Sequence, residues 1–201
     1  MKLILASNNA HKLEEIRAIL GDQFEEILSL REAGIDHETV EDGTTFLENA
    51  EKKAREIMEI SGCCALADDS GLCVDALGGA PGIYSARYAG VHGDDKANNR
   101  KLLRDLEGVE DRRAHFACAM VLVRPDGSVV RAEGRMDGVI AYAEAGEGGF
   151  GYDPLFYLPE RGCTNGQLRP GEKNAISHRA HALQALLRQL QPGEAAADKK
   201  S

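Results

Sequence analysis

Residues 63–74 read CCALADDSGLCV, two short apolar runs separated by adjacent carboxylates, a serine and a glycine. Cys63–Ala67 is typical of a short buried strand, and an apolar pattern resumes at Leu72. Because Asp, Ser and Gly favour turns, we expect the first strand to end at Asp68-Asp69-Ser70-Gly71. Adjacent like charges repel unless a cation or a shared proton relieves them. The stretch therefore predicts either a metal or acid–base site or an ordinary turn.

On both sides of this stretch, apolar spacing predicts alternating strands and helices. A turn at Arg124-Pro125-Asp126-Gly127 between two β-rich runs predicts an antiparallel hairpin. Thr45 and Glu48 form a capping-box pattern at the start of a helix. Together these elements predict an α/β fold on a mixed sheet. The predicted strands are Lys2–Ala6, Ala114–Val123 and Ser128–Glu133, and the predicted helices are those after Ser7-Asn8-Asn9, at Thr45–Ile60, at Lys96–Leu106 and at Ala180–Leu190.

The charge and hydropathy of the chain exclude several classes of protein. Its 201 residues include 24 Lys and Arg against 33 Asp and Glu, a net charge of −9. Such a chain lacks the broad positive surface that drives nonspecific nucleic-acid binding. No window approaches the ~18 consecutive apolar residues of a membrane span, and no secretory segment develops, so we expect a cytoplasmic protein without a nucleic-acid or membrane partner. We expect one domain over residues 1–191, a disordered tail over 192–201, and reduced cysteines.

A first candidate site lies where the first strand meets its helix. Free amides, the positive end of the helix dipole and a lysine ammonium would all face an anion there. This pattern predicts a triphosphate-binding turn. The alternative is an ordinary helix N-cap, because Ser and Asn are favoured at that position and the segment is not a Walker loop. The segment is Ser7-Asn8-Asn9-Ala10-His11-Lys12.

A second candidate site combines Glu41-Asp42-Gly43 with Lys53 on the following helix. Mg²⁺ prefers hard carboxylate ligands, usually one or two of them together with substrate phosphates. Glu48 is explained as the acid of the capping box, and Lys53 could reach a phosphate or remain in solvent. By itself this segment leaves both interpretations open.

Two later segments have the chemistry of a base-binding pocket. Glycines around Phe150 let a flat ligand approach the backbone and stack on the ring, whereas the alternative is a tight turn with two buried aromatics. Lys173, His178 and Arg179 concentrate positive charge in an acidic chain, which suits a carbonyl or phosphate oxygen. We expect Ser177 to cap the last helix. The segments are Gly148-Gly149-Phe150-Gly151-Tyr152-Asp153-Pro154 and Glu172-Lys173-Asn174-Ala175-Ile176-Ser177-His178-Arg179.

Six motifs in order resemble the inosine triphosphate pyrophosphatase family, the dITP/XTP pyrophosphatases that remove deaminated purine nucleotides from the nucleotide pool. The resemblance spans about Lys2 to Leu190. Two departures from it are small, because Ser7-Asn8-Asn9 stands where many relatives have Thr-Gly-Asn and Gly166-Gln167 stands where Ala-Glu is common. The motifs are SNNxxK, EDGxTFxENA, ADDSGL, GGAPGIYSARYAG, GFGYDP and KNAISHR.

The resemblance implies an elongated mixed sheet flanked by helices, with two lobes and an active site in the cleft between them. It implies a Mg²⁺-dependent homodimer that hydrolyses dITP, ITP, XTP and dXTP to the monophosphate and pyrophosphate. Asp69 would accept the proton of the attacking water and coordinate Mg²⁺ with Glu41, with Asp68 close by as a further metal ligand. The implied substrate-binding residues are Ser7, Asn8, Asn9, Ala10, His11, Lys12, Lys53, Ser70, Phe150, Gly151, Tyr152, Asp153, Lys173, His178 and Arg179.

Two alternatives remain open from the sequence. One is a pyrophosphatase that acts on other modified nucleotides, and it would share the phosphate-binding residues. The other is a nucleotide-binding protein without catalysis, which the presence of Glu41, Asp68 and Asp69 disfavours.

Overall fold

A seven-stranded mixed sheet forms the centre of the computed structural model, which describes residues 1–191. The strands are β1 (Lys2–Leu5), β2 (Glu26–Ser29), β3 (Cys64–Val74), β4 (Arg113–Val123), β5 (Val129–Ile140), β6 (Phe156–Leu158) and β7 (Cys163–Thr164). Their order is β2-β1-β3-β4-β5-β6-β7. β1 runs parallel to β2 and β3, and the pairs from β3 to β7 are antiparallel. The predicted mixed α/β sheet is confirmed, whereas the expected tail over 192–201 lies outside the described residues.

Helices flank the sheet where apolar spacing predicted them. Thr45 accepts a hydrogen bond from Glu48 N, and Ser177 accepts one from Ala180 N, so both act as the predicted caps. The segment before Ser177 forms a separate short helix, because the extended backbone of Ser177 interrupts the helical hydrogen bonds. Within residues 1–191 the structure contains no helix that is both long and apolar enough to span a bilayer. The helices are α1 (Ala10–Leu20), α2 (Phe46–Ser61), α3 (Asp95–Asp105), α4 (Pro170–Ile176) and α5 (His178–Leu190).

β3 runs without a break through Asp68-Asp69-Ser70-Gly71, so the expected turn is wrong. The reason is its long partner strand, since β4 pairs with β3 from Ala65 to Val74 and overrides the local preference for a turn. Gly71 has a different role from the predicted one. A Cβ at Gly71 would collide with Ser85 Oγ and Gly82 O, so the glycine permits a close approach of this neighbouring segment.

β5 extends to Ile140, beyond the predicted end at Glu133. Two glycines beyond the predicted end of the strand allow close packing against it. A Cβ at Gly134 would collide with His178 O and with Ala182 N of α5, and one at Gly138 would lie 2.7 Å from the Phe156 ring. Gly134 therefore determines how closely the start of α5 approaches the sheet.

Apolar packing divides the long strands into two halves. On one half, α1 and α5 cover one face through residues such as Ile16 and Leu183, and α2 covers the opposite face through Ala50. On the other half, α3 and β6 contribute Leu102 and Phe156 to a second core. The carboxylates in the middle of β3 lie between these packed regions.

Gly134→Ala should lower the free energy of unfolding by about 1–3 kcal/mol, because the added methyl group would push α5 away from β5. Urea denaturation of the full chain measures the change. Gly171→Ala is a matched control, since nothing lies within 4 Å of a Cβ built at Gly171, and it should be neutral or stabilising. An unchanged free energy of unfolding in Gly134→Ala would contradict this close packing.

Candidate active site

The candidate site lies where β1 ends and β3 continues. β1 pairs with β3 as far as Leu5 and Leu66, and β3 then extends to Val74 beside the turn that precedes α1. Ligands of open α/β sheets bind beyond the carboxyl ends of parallel strands, and this position satisfies that rule. A cavity of about 610 Å³ opens here. It is lined by the predicted residues Ser7, Lys12, Glu41, Lys53 and Asp68, and by Ala6, Leu30, His37, Glu38, Thr39, Val40, Ile57, Arg87 and His92.

Asp68 is buried beside the cavity and pairs with two cations. Lys12 Nζ lies 2.8 Å from both carboxylate oxygens, and Arg179 Nε lies 3.5 Å from Oδ2. Burial by itself raises the pKa of Asp68, but Lys12 and Arg179 together hold that pKa well below its ordinary value. Because both oxygens are engaged by cations from α1 and α5, this arrangement disfavours Asp68 as a direct metal ligand.

Asp69 lies on the opposite face of β3, because side chains alternate along a strand. Its Oδ2 accepts a hydrogen bond of 3.0 Å from Asn49 Nδ2, and its Oδ1 accepts one of 2.9 Å from Ser70 N. Burial raises the pKa of Asp69 above its ordinary value, while Lys53 and the Asn49 hydrogen bond oppose this rise and Glu41 adds to it. The two adjacent carboxylates therefore have separate partners and do not share one turn.

Glu41 and Lys53 form an ion pair, with Glu41 Oε1 2.7 Å from Lys53 Nζ, and the charges of both residues act on the pKa of Asp69. Asn49 accepts a hydrogen bond of 2.8 Å from Gly43 N and so holds the loop of Glu41 against α2. In the part of the chain that the structure describes, no group of three or more His, Cys, Asp or Glu side chains could hold a metal ion. Mg²⁺ needs only one or two carboxylates when phosphates complete its ligands, so the donor set of Glu41 and Asp69 fits that ion.

The turn before α1 is organised by its own side chains. Asn9 Oδ1 accepts hydrogen bonds from His11 N at 3.0 Å and Lys12 N at 3.2 Å, and Ser7 Oγ accepts one of 3.1 Å from Asn9 N. Asn8 Oδ1 accepts a further bond from Arg31 N. Asn9 is thus an N-cap, and amides expected to face an anion are already engaged. Ser7 and Lys12 are the residues of this turn that line the cavity.

Of the two aromatics in the GFGYDP segment, one is exposed and one is buried. The Phe150 side chain is 65% exposed, and Lys173 Nζ lies 4.4 Å from its ring centroid. Lys173 also pairs with Asp153, which accepts a 2.9 Å bond from Phe150 N. Tyr152 is buried and donates a 2.7 Å hydrogen bond to Ser85 O. Phe150 can therefore stack on a ligand, whereas Tyr152 supports the loop from within.

His178 is neutral at the start of α5. Its ring stacks on Phe116 with 5.0 Å between centroids, and burial, reinforced by Arg179, lowers its pKa to about 3. Its Nδ1 is buried and has no hydrogen-bond partner among residues 1–191. A buried nitrogen without a partner is costly, so a ligand that pairs with it would gain affinity.

The predicted site residues fall into two groups. Lys12, Lys53 and Asp68 line the cavity, whereas Phe150 and Lys173 lie outside its lining. At the start of α5, Arg179 reaches Asp68 and the ring of His178 stacks on Phe116.

A model of the Ham1 family matches residues 3–189 of the chain. The chain belongs to the Ham1 family. Curated relatives confirm the resemblance seen in the motifs. A dITP/XTP pyrophosphatase of Clostridium perfringens is 54% identical over 193 residues, which cover 92% of this chain and 95% of the relative. One of Pseudomonas syringae pv. tomato is 52% identical over 192 residues, which cover 94% of this chain and 95% of the relative.

Solved structures of Ham1 proteins have the same fold. The Ham1 protein of Staphylococcus aureus aligns with a TM-score of 0.89 and 41% identity, covering 94% of this chain and 98% of that protein. A structure named nucleoside-triphosphatase / dITP/XTP pyrophosphatase, from Mycobacterium abscessus, aligns with a TM-score of 0.80 and 45% identity, covering 95% and 100%. The mixed sheet described above is therefore the sheet of the Ham1 family.

Several side chains at the site of this Ham1 protein were not assigned from sequence. Among them, Arg87 and His92 line the cavity. Arg87 lies in the GGAPGIYSARYAG motif, which is a usable signal, whereas His92 has no pattern around it. Asn49, which is buried on α2, orients Asp69 through a hydrogen bond. This role was not predicted, because Asn49 directly follows the capping-box acid and no pattern in the sequence marks it.

Asp68→Asn should lower the free energy of unfolding by about 3–5 kcal/mol in metal-free buffer, because Lys12 and Arg179 would lose their buried partner. The folded pKa of Asp68 lies below the unfolded value of about 3.9. Its stabilisation is therefore complete above that pH and is lost as the pH falls towards the folded pKa. Urea denaturation from about pH 7 to pH 3 should show a steeper loss on acidification for the wild type than for Asp68→Asn.

Asp42→Asn is the control for this experiment. Asp42 is an exposed carboxylate 2.7 Å from Lys52, and solvent screens such pairs, so this substitution should change stability little. The same pH dependence in the wild type and Asp68→Asn would contradict the role given to the buried pair.

Proposed function

We propose that this Ham1 protein hydrolyses dITP, ITP, XTP and dXTP to the monophosphate and pyrophosphate. One observation carries the proposal, namely that Lys12 and Lys53 line one cavity and each pairs with a carboxylate, while the charge of Lys53 also acts on the pKa of Asp69. Such a site offers cations to a triphosphate, ligands to a hard metal ion and an acceptor for a proton. Relatives at 54% and 52% identity are named dITP/XTP pyrophosphatase, which supports this class of substrate.

We expect Glu41 and Asp69 to hold Mg²⁺ together with phosphate oxygens. The ion, when bound, supplies positive charge that stabilises the charge developing on the phosphates. Asp68 is left out of the ligand set because Lys12 and Arg179 already engage its oxygens.

Asp69 is the proposed proton acceptor for the attacking water. Asn49 and the amide of Ser70 fix its two oxygens, and burial makes this carboxylate more basic than an exposed aspartate. The water oxygen forms a bond to the α-phosphorus as the bond from that phosphorus to the α–β bridging oxygen breaks. The proton of the water passes to Asp69, and pyrophosphate leaves. Positioning and electrostatics supply most of the catalysis in such transfers.

The turn from Ser7 to Lys12 and the side chain of Lys53 are proposed to bind the triphosphate. Lys12 pairs with Asp68 and Lys53 pairs with Glu41. These contacts hold both ammonium groups at the cavity before a phosphate arrives, which reduces the entropic cost of binding. Cations are therefore concentrated locally in a chain of net charge −9.

The exposed Phe150 ring is the proposed stacking surface for the purine, and Gly151–Asp153 complete the loop, with Ser70 contacting the substrate near Asp69. Lys173, His178 and Arg179 would face the 6-oxo group. Hypoxanthine and xanthine present an acceptor at O6 and a donor at N1, whereas adenine reverses both. ATP would therefore leave buried donors unpaired, and such sites discriminate by ~10⁴ or more. Neutral His178 can donate one hydrogen bond from its ring.

We also propose that the protein is a cytoplasmic homodimer, as the motif resemblance implies. We expect its substrates to be free nucleotides of the cytoplasm. Analytical ultracentrifugation of the purified chain tests the oligomeric state.

Asp69→Asn should reduce kcat for dITP by about 10³-fold or more while KM changes little, because the amide cannot accept the proton and is a poorer metal ligand. Pyrophosphate release measures kcat, and titration calorimetry with dITP measures binding. Asp137→Asn is the control, since this exposed carboxylate pairs with Arg135 at the far end of β5. Near-normal turnover in Asp69→Asn would remove the proposed base.

Substrate choice is tested by pyrophosphate release from dITP, XTP, dATP and dGTP, each with Mg²⁺ and with EDTA. We expect rapid release from dITP and XTP with Mg²⁺, and little release from dATP or in EDTA, because adenine mispairs with the donors and the carboxylates need the ion. Equal rates on dATP and dITP would contradict the base pocket, and release in EDTA would contradict the metal assignment.

A further inference from the structure

The loop that carries Phe150 is held by side chains of α3. Gly151 N donates a hydrogen bond of 2.7 Å to Asp95 Oδ2, and Asn99 Nδ2 donates one of 3.2 Å to Gly151 O. Both backbone groups of this glycine are thus bound by two residues one helical turn apart. Gly151 has a φ of +60°, in the left-handed region that residues with a Cβ rarely adopt. The two hydrogen bonds therefore fix a special backbone conformation next to the exposed ring.

A role in packing alone does not explain why Asn99 is an asparagine. It is 3% exposed, and its Oδ1 has no hydrogen-bond partner in the described part of the chain. A buried amide oxygen without a partner lowers stability, so an apolar residue of similar size would pack at lower cost. What the amide contributes is its donor group, which also reaches Glu144 Oε1 at 3.0 Å. The two acceptors, Gly151 O and Glu144 Oε1, belong to residues close in sequence to Phe150.

The adjacent residue, Asn98, forms hydrogen bonds with a different segment of the chain. Its Oδ1 accepts a hydrogen bond of 2.7 Å from Ala89 N, and its Nδ2 donates one of 3.3 Å to Ala86 O. These two backbone groups flank Arg87, which lines the cavity proposed for the triphosphate. Neighbouring buried asparagines of one helix thus hold two different loops, one at the cavity and one at Phe150.

We propose that Asp95 and Asn99 are positioning residues for purine binding, which fix the Phe150 ring without touching the substrate. An exposed aromatic ring on a glycine-flanked loop would otherwise lose conformational freedom on binding, at a cost to affinity. The inference rests on the proposed function, because that function assigns the loop to the base.

The test compares Asp95→Ala and Asn99→Ala with Asn98→Ala and with Arg100→Ala, an exposed control on the same helix. Titration calorimetry measures the Kd of deoxyinosine monophosphate and, separately, of inorganic pyrophosphate. Asp95→Ala and Asn99→Ala should weaken deoxyinosine monophosphate binding by about tenfold and leave pyrophosphate binding unchanged. Asn98→Ala should show the reverse pattern, and Arg100→Ala should match the wild type. Asp95→Asn should restore binding, because its amide oxygen can still accept from Gly151 N.

A second readout is independent of any nucleotide. Amide hydrogen exchange over residues 148–153 should be faster in Asp95→Ala and Asn99→Ala than in the wild type or Arg100→Ala. If Asn99→Ala does not unfold cooperatively in urea, the inference is tested by comparing Asp95→Ala with Asp95→Asn, because Asp95 is only half-buried.

Wild-type affinity for deoxyinosine monophosphate in both alanine variants, or an equal loss for both ligands, would overturn the inference. The inference would also be overturned if Asn98→Ala and Asn99→Ala changed the two Kd values in the same way. In that case α3 would affect binding only through the stability of the whole protein. A wild-type protein that does not hydrolyse dITP would overturn the proposed function instead, and the exchange experiment would still show whether α3 holds the loop.

Discussion

A buried carboxylate in the middle of β3 connects parts of the chain that are far apart in sequence. Asp68 binds Lys12 in the first turn of α1 and Arg179 in the first turn of α5. Removing a charge from water is costly, and close opposite charges must offset that cost. The starts of both helices are therefore constrained to meet at this strand. Lys12 thereby remains at the cavity in a protein whose net charge is strongly negative.

The neighbouring carboxylate illustrates how one strand produces two chemical environments. Asp69 is a single residue further along β3, yet it lies on the α2 face with Asn49, Lys53 and Glu41. Paired cations lower the pKa of Asp68, whereas burial raises that of Asp69. Pairs of acids whose pKa values are separated by their surroundings are typical of divided roles in catalysis. The structure suits one for organising charge and the other for accepting a proton.

Much of the fold follows from local pattern, because helix caps and apolar periodicity depend on near neighbours. Thr45 and Ser177 cap their helices as predicted, and the hairpin forms around its turn. The turn expected after Ala67 and the end expected at Glu133 are wrong for a shared reason. In both places a polar or glycine-containing segment continues as strand, because a distant element pairs with it or packs closely on it.

The sequence by itself determined the family, the places of four strands and of the four longer helices, and the kinds of side chain available for phosphate, metal and base. The short elements β2, β6, β7 and α4 were not predicted. The sequence indicated Phe150 as a stacking ring but left open that Phe150 and Tyr152 are both buried. It also could not show that Asp68 and Asp69 have different partners. Those distinctions depend on which face of a strand or loop meets which helix. Such contacts join residues more than a hundred positions apart, as between Asp68 and Arg179, so only the tertiary structure decided them.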